Sequence, residues 1–267
     1  MHPIIDVPIQ HMTTRLQQVL PPVIVFFVVL ALWEGLVRAF DIQRFLLPAP
    51  SVILAAFIEL FPALLGRALY TFRSAIFGLF IGGALGILVA AITVRFTLVR
   101  EGLLPFAIAA NSVPIIAFAP LMNNWFGITS QLSKIMIVAV VVFFPMMINV
   151  ARGLTLIDPA KLELMHSYAT SPLDVLLKVR APNALPYFFN ALKVCSTLSL
   201  IGAIVGEYFG GTREALGVFI TQEASNFKFA NAWAAIIIAS LLGITYYLMI
   251  VALERLVIPW HASIGQQ

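Results

Sequence analysis

Residues 74–94 read SAIFGLFIGGALGILVAAITV, 21 consecutive positions without a charge. A helix needs about 20 predominantly apolar residues to cross the hydrocarbon core of a bilayer. The chain repeats this feature. Leu16–Trp33 is uncharged over 18 residues, Gly102–Ser133 over 32, Ile135–Ala151 over 17 and Phe229–Leu253 over 25. Pro182–Gly206 holds only Lys193 in its 25 residues. In lipid each backbone N–H and C=O must be satisfied within the chain, and a helix does this segment by segment. The expected fold class is therefore all-α, a polytopic membrane helix bundle of about six transmembrane helices.

Composition points the same way. The 267 residues are 61% hydrophobic and 10% charged, with mean hydropathy +1.00. A soluble domain is roughly 45–50% apolar and about 25% charged. A chain so poor in charge cannot clothe itself in water, which excludes an ordinary soluble enzyme and a disordered protein. The net charge is +4, but the 16 basic residues are scattered among apolar runs. No nucleic-acid partner is expected; membrane lipid is. The single cysteine, Cys195, excludes an internal disulfide and a cysteine metal site. It reads as a small core residue of its span. His2, His11, His166 and His261 have no metal-ligand spacing, so neither metal nor cofactor is expected.

The first span follows Arg15, but Pro21–Pro22 breaks its start and no small-x-small cleavage site follows. It reads as an uncleaved helix. Residues 45–58 are too short for a span. With Ser51 as N-cap they read as a helix on or near the membrane surface. Basic residues divide nine to seven between the two sides if the N-terminus is inside, which orients the chain only weakly.

Three internal patterns stand out. Gly78, Gly82 and Gly86 fall four apart on one face, as close helix–helix contact requires, either within the chain or in a dimer. Residues 111–127 read NSVPIIAFAPLMNNWFG. Pro105, Pro114 and Pro120 interrupt the run Gly102–Ser133, and Asn123, Asn124 and Trp125 follow. The segment is either a pathway or gate, or a helix ending at the interface. Glu207 and Tyr208 end the fifth span. Glu207 either marks a gate or partner contact, or sits in interfacial water. Glu34 and Lys134, also at span edges, read as solvated or snorkelling.

Residues 152–181 form the longest polar connection and carry seven charges. Asp158-Pro159 is an N-cap followed by proline at the first helical position. Ser171-Pro172, with Asp174, repeats the signal as a capping box. Two short helices joined near residues 168–170 are expected. Leu162, Met165 and Ala169 form a stripe suited to a partner's groove, unless both helices simply fold back on the bundle.

Residues 163–171, ELMHSYATS, and 178–186, KVRAPNALP, resemble the EAA loop of bacterial ABC importer permeases. Residues 114–121 (PIIAFAPL), 125–127 (WFG), Ser133-Lys134, 143–145 (FFP) and 202–209 (GAIVGEYF) are similar to the nitrate/sulfonate/taurine branch of that family. The resemblance covers about residues 45–260. Leu164 and Met165 stand where the family has alanines, and Ala169 where it has glycine. With alanine, the turn must use another conformation or accept strain.

The resemblance implies a type I ABC importer permease fold, not an enzyme, in the bacterial inner membrane with both termini cytoplasmic. Residues 1–68 would hold the N-terminal transmembrane helix and an extracytoplasmic or interfacial segment. Residues 69–255 would form the type I core, with its cytoplasmic loop at 152–186, and 256–267 a cytoplasmic tail. The implied partners are a cytoplasmic ATP-binding subunit, an extracytoplasmic substrate-binding protein and a second permease copy or paralogue. The coupling loop would act through Asp158, Leu162, Glu163, Met165, Ala169, Thr170 and Ser171, with Glu163 as the motif glutamate. No G-x-x-x-x-G-K-[ST] loop is present, so ATP would be hydrolysed elsewhere. Residues 119–127 and 200–211 look closest to permeases for riboflavin or a pyrimidine precursor of thiamine. Sulfonate, taurine or nitrate is the alternative cargo. An ion-coupled secondary carrier is the alternative class, against which stands the scarcity of acids in the span centres.

Overall fold

A computed structural model describes residues 9–111 and 114–259. Among them there are helices and no strand. In chain order they are α1 (Ile9–Ala39), α2 (Pro50–Arg95), α3 (Thr97–Asn111), a 3₁₀ turn (Ile115–Phe118), α4 (Ala119–Phe126) and α5 (Gln131–Thr155). Then come α6 (Pro159–Ser167), α7 (Pro172–Val175), a π turn (Leu176–Arg180), α8 (Ala181–Tyr208), α9 (Leu216–Ser225) and α10 (Phe229–Val257). Residues 260–267 of the expected tail, with His261 and His2, lie outside the described residues.

Five helical stretches are long and apolar enough to cross a membrane: 20–39, 50–94, 131–155, 172–208 and 229–257. The remaining expected crossing is composite. The residue before a proline avoids the α region, and the proline ring supplies no N–H. The described part of α3 runs to Asn111, Pro114 precedes the 3₁₀ turn, and Pro120 sits in the first turn of α4. Pro105 stays inside α3.

The segment read as a short surface helix is instead the opening of the 46-residue α2. Its scattered charges interrupt hydropathy, not helix. Nor does Ser51 act as the N-cap, because the helix already begins at Pro50. Glu34 of α1 caps that first turn, accepting from the Ser51 N–H at 3.0 Å and the Ser51 hydroxyl at 2.7 Å. Arg38 holds the same carboxylate at 2.6 Å, so Glu34 is paired rather than merely solvated.

Contacts divide the chain into two compact units. One comprises the chain up to Leu60 with Glu223–Ala234. Its α1 is half exposed or more at Val25, Phe26, Phe27 and Leu32, an apolar face for lipid. Trp33 meets Trp233 edge-on at 5.4 Å, and Phe45 meets Phe227 at 6.4 Å.

The other unit, Phe61–Gln222 and the chain from Ala235, is built on α5. Val138, Val142, Met146, Met147 and Ala151 are fully buried along it. Lipid tails are as apolar as leucine, so helices in a bilayer associate through close packing rather than through the hydrophobic effect. Glycine supplies that closeness twice here. The Gly78–Gly82–Gly86 face of α2 lies against α5. A Cβ would stand 2.8 Å from the Ile135 carbonyl oxygen at Gly78, 2.8 Å from Ala139 Cα at Gly82 and 2.9 Å from the Phe143 oxygen at Gly86. The antiparallel α8 closes the other side. There a Cβ at Gly153 would stand 2.8 Å from Ala184 Cα, and one at Gly206 would stand 3.0 Å from Ile137. Cys195, fully buried, faces the Val142 carbonyl at 3.7 Å. Lys193 of α8 and Glu254 of α10 form a mostly buried ion pair at 2.9 Å.

Overpacking a tight contact costs typically 1–3 kcal/mol. We therefore expect Gly82→Ala to lower the thermal unfolding midpoint of the detergent-solubilised protein. Gly66→Ala, on the same helix with open space around it, should leave the midpoint unchanged or slightly raised. Equal behaviour of the two variants would refute this account of the α2–α5 contact.

Candidate functional site

The expected site residues gather at opposite ends of α5. At its C-terminal end, Asp158 caps α6 by accepting from the Ala160 N–H at 3.0 Å, with Pro159 at the first helical position. The helix closes with two interlocked bonds. The Ala169 N–H donates to the His166 carbonyl at 2.9 Å and the Thr170 N–H to the Met165 carbonyl at 3.3 Å. The Thr170 hydroxyl adds a bond to that same Met165 oxygen at 2.8 Å. This Schellman closure needs a left-handed residue at Ala169, whose φ is +48°. Of the two outcomes foreseen for an alanine there, strain is the one adopted. Ser171 then caps α7, accepting from the Asp174 N–H at 3.1 Å and donating to its carboxylate at 2.6 Å.

The loop is bound to both long helices by side chains that sequence reading did not single out. The last carbonyls of a helix have no partner within it. Arg180 takes that of Leu154 at 2.8 Å, and Asn183 takes those of Gly153 and Leu156 at 2.7 and 3.0 Å. These residues lie 26 to 30 positions from their partners, so no local pattern announces them.

Leu162, Met165 and Ala169 do not form one outward stripe. Leu162 and Met165 are half-buried. Leu162 shares a cavity of about 410 Å³ with Ala91 and Val94 of α2, and Met165 shares another with Pro182, Pro186 and Tyr187. The apolar surface shown to solvent is Leu164, Tyr168, Leu173 and Leu177, beside the exposed Glu163.

At the N-terminal end of α5 lies a buried polar cluster. Lys134, 3% exposed, donates from Nζ to Asn123 Oδ1 at 2.8 Å and to the Ile128 carbonyl at 2.7 Å. It does not snorkel, because these acceptors surround it inside the protein. Ser133 also donates to Asn123 Oδ1, and Asn123 Nδ2 donates to the Phe209 carbonyl at 3.1 Å. Glu207 is 1% exposed, which rules out interfacial water. Its carboxylate accepts from the Thr71 hydroxyl at 2.9 Å and the Gly217 N–H at 2.8 Å. Thr71 in turn accepts from the Leu216 N–H at 3.0 Å. Glu207 and Thr71 thus cap the first turn of α9, where an anion also suits the helix dipole. Lys134 and Glu207 attract each other through space without touching.

One cluster therefore ties α2, α4, α5, α8 and α9. Asn123 and Glu207 are structural ties within it, whereas Asn124, Trp125 and Tyr208 face outward; Trp125 is 65% exposed. Among the described residues no three His, Cys, Asp or Glu side chains converge on a metal-sized site.

Two predictions follow from this geometry. Glu207→Ala would leave the Thr71 O–H and the Gly217 N–H without their acceptor. A buried group left without its partner costs about 1–3 kcal/mol. It should lower the unfolding midpoint well below that of Glu207→Gln, which keeps an acceptor oxygen; equal midpoints would refute the capping role. Ala169→Gly removes a left-handed penalty of about 1–2 kcal/mol. Hydrogen exchange of the α6 amides should slow several-fold, and unchanged exchange would argue against strain at that turn.

Comparison with known proteins places the fold. The family model for "binding-protein-dependent transport system inner membrane component" matches residues 82–259. The formylaminopyrimidine transport permease protein ThiX of Halalkalibacterium halodurans is 32% identical over 92% of this chain and 98% of its own length. The riboflavin transport system permease protein RibX of Chloroflexus aurantiacus is 28% identical over 90% of each. The putative aliphatic sulfonates transport permease protein SsuC of Bacillus subtilis is 27% identical over 88% of this chain and 86% of its own.

Proposed function

The chain belongs to the family of binding-protein-dependent transport system inner membrane components, as a multi-pass permease subunit of an ABC importer for small solutes, and we propose that its cargo is a neutral, vitamin-type heteroaromatic such as a thiamine pyrimidine precursor or riboflavin. The observation that carries this reading is the pair of relatives named for formylaminopyrimidine and riboflavin, each matched along nearly the whole chain. Charge supports it. The one charged residue within α8 beyond Ala181, apart from Glu207 in the cluster, is Lys193, and Glu254 neutralises it. A sulfonate, the second reading suggested by the 27% relative, would call for an unpaired cation along its route.

Permeases of this family work with an ATPase and a substrate-binding protein. In our reading the loop 156–180 faces the cytoplasm and docks on the ATPase through α6, with Glu163 at the contact. Both chain termini then lie inside. The segments 127–130 and 209–216 face outward, where Asn124, Trp125 and Tyr208 form a mouth for cargo delivered by the binding protein. The 25-residue α5 spans about 37 Å between these ends. Glycine contacts hold α2 and α8 against it. The three helices move as one body when the ATPase moves the loop, and the polar cluster carries that motion to α4 and α9.

Glu163→Ala should leave the chain in the membrane at normal level but reduce the ATPase that co-purifies with it. Undiminished co-purification with undiminished transport would overturn the docking role. Cargo is tested in proteoliposomes holding the full complex, with the binding protein loaded in turn with a hydroxymethylpyrimidine, riboflavin and taurine. ATP-dependent accumulation of a ring compound is expected. Accumulation of taurine alone would establish the sulfonate reading, and uptake that ignores ATP but collapses with the ion gradient would mean a secondary carrier.

A further inference from the structure

Along α8, the exposed residues Asn190, Val194, Thr197, Ile201 and Tyr208 fall at steps of four, three, four and seven. At 100° per residue they form one stripe, about 27 Å long. Three of them are polar. Neither the Asn190 amide, the Thr197 hydroxyl nor the Tyr208 phenol meets a hydrogen-bond partner among the described residues. The outward faces of α1 and of the second half of α2 differ: Phe26, Phe27 and Leu32 on the first, and Leu85, Leu88 and Ile92 on the second, are purely apolar. Lipid can satisfy those faces. It cannot satisfy an amide at membrane depth, where polar groups are tolerated when they face protein or a water-filled cavity.

Beside the stripe, α8, α9 and α10 enclose a cleft of about 520 Å³. Its walls are aliphatic, from residues such as Leu200, Ile204 and Ile220. Thr197 and Tyr208 reach it from the stripe, Ser240 and Tyr247 from α10. Tyr208 and Tyr247 are 42% and 40% exposed. No charged side chain lines the cleft. Apolar walls, aromatic faces and a few hydroxyls suit a flat, neutral ring and do not suit an anion, whose desolvation would go uncompensated.

We infer that the polar stripe of α8 lines a water-filled route and that the cleft beside it is a transit site on the permease itself for a neutral heteroaromatic, with Tyr208 and Tyr247 against the ring and Thr197 hydrogen-bonding its edge. This rests on the importer reading above and adds a cargo-contacting site to it. Specificity is then set twice, once on the binding protein and once in this cleft.

The test uses the full complex in proteoliposomes with Cys195→Ser as background. Asn190→Cys and Thr197→Cys should react with a charged, membrane-impermeant methanethiosulfonate at least tenfold faster than Leu88→Cys on the apolar face of α2. Reaction with a lipid-soluble maleimide alone would make the stripe a lipid face and overturn the inference. A spontaneous disulfide between two copies, with both positions closed to the charged reagent, would make it a dry subunit interface and do the same. Transport gives the second arm. Tyr247→Leu should cut hydroxymethylpyrimidine uptake about tenfold while ATPase stimulation by the loaded binding protein stays within twofold, and Tyr247→Phe should restore uptake. Parallel loss of uptake and stimulation would place the defect in folding or coupling and overturn the cleft. Failure of the unmodified complex to take up any ring compound would sink the cargo reading together with the ligand assigned to the cleft. Unlabelled cysteines in a complex that does transport the pyrimidine would sink the water-filled stripe alone.

Discussion

The contact of Gly82 with the backbone of Ala139 sets how near α2 can come to α5, and much of the molecule depends on that distance. In lipid, two helices gain little by hiding apolar side chains, so their attraction depends on close approach. Glycines at 78, 82 and 86 provide it on one side of α5, and glycines at 153 and 206 on the other. We propose that this close-packed stack of three helices acts as a rod between the loop at one end and the polar cluster at the other.

The two ends are tied down by different chemistry. At the loop end, Arg180 and Asn183 take the free carbonyls of α5, so α5 and the start of α8 cannot part without breaking those bonds. At the far end the ties converge on two buried charges. Lys134 gathers Asn123 and the Ile128 carbonyl, and Glu207 gathers Thr71 and the start of α9. A buried charge is weak evidence for stability, because the cost of desolvating it offsets much of what its partners return. The value of these two lies in geometry: each charge demands several partners in fixed places, and the charges with their partners join α2, α4, α5, α8 and α9.

The sequence discloses what is local. Uncharged runs mark the crossings, Pro114 and Pro120 mark the broken one, and Asp158 and Ser171 mark the starts of the loop helices, since each feature acts within a few residues of itself. The positive φ at Ala169 was legible as one of two outcomes. What it conceals depends on distance along the chain. The Asn123 to Phe209 bond spans 86 residues and the Thr71 to Glu207 bond spans 136. Lys134 therefore reads as a solvated or snorkelling edge residue, and Glu207 as either a gate or a residue in interfacial water, although each is buried among acceptors or donors from elsewhere. The Leu162–Met165 stripe stays open between two readings for a related reason: a helical periodicity shows that a face is apolar but not whether a partner or the chain's own α2 and α8 will cover it. The length of α2 was hidden because charges at 59, 67 and 73 end hydropathy windows without ending a helix.

The central proposal is that α2, α5 and α8 move as one body between loop and mouth. Its most direct test is a distance within one protomer, read by pulsed electron spin resonance between labels at Leu164→Cys and Trp125→Cys in a Cys195→Ser background. Both native residues are exposed, one on α6 and the other on α4. In the assembled complex this distance should stay the same, within the width of its distribution, with and without bound ATP. A shift of several ångströms on ATP binding would show that the loop moves independently of the stack, and the rod would be the wrong description.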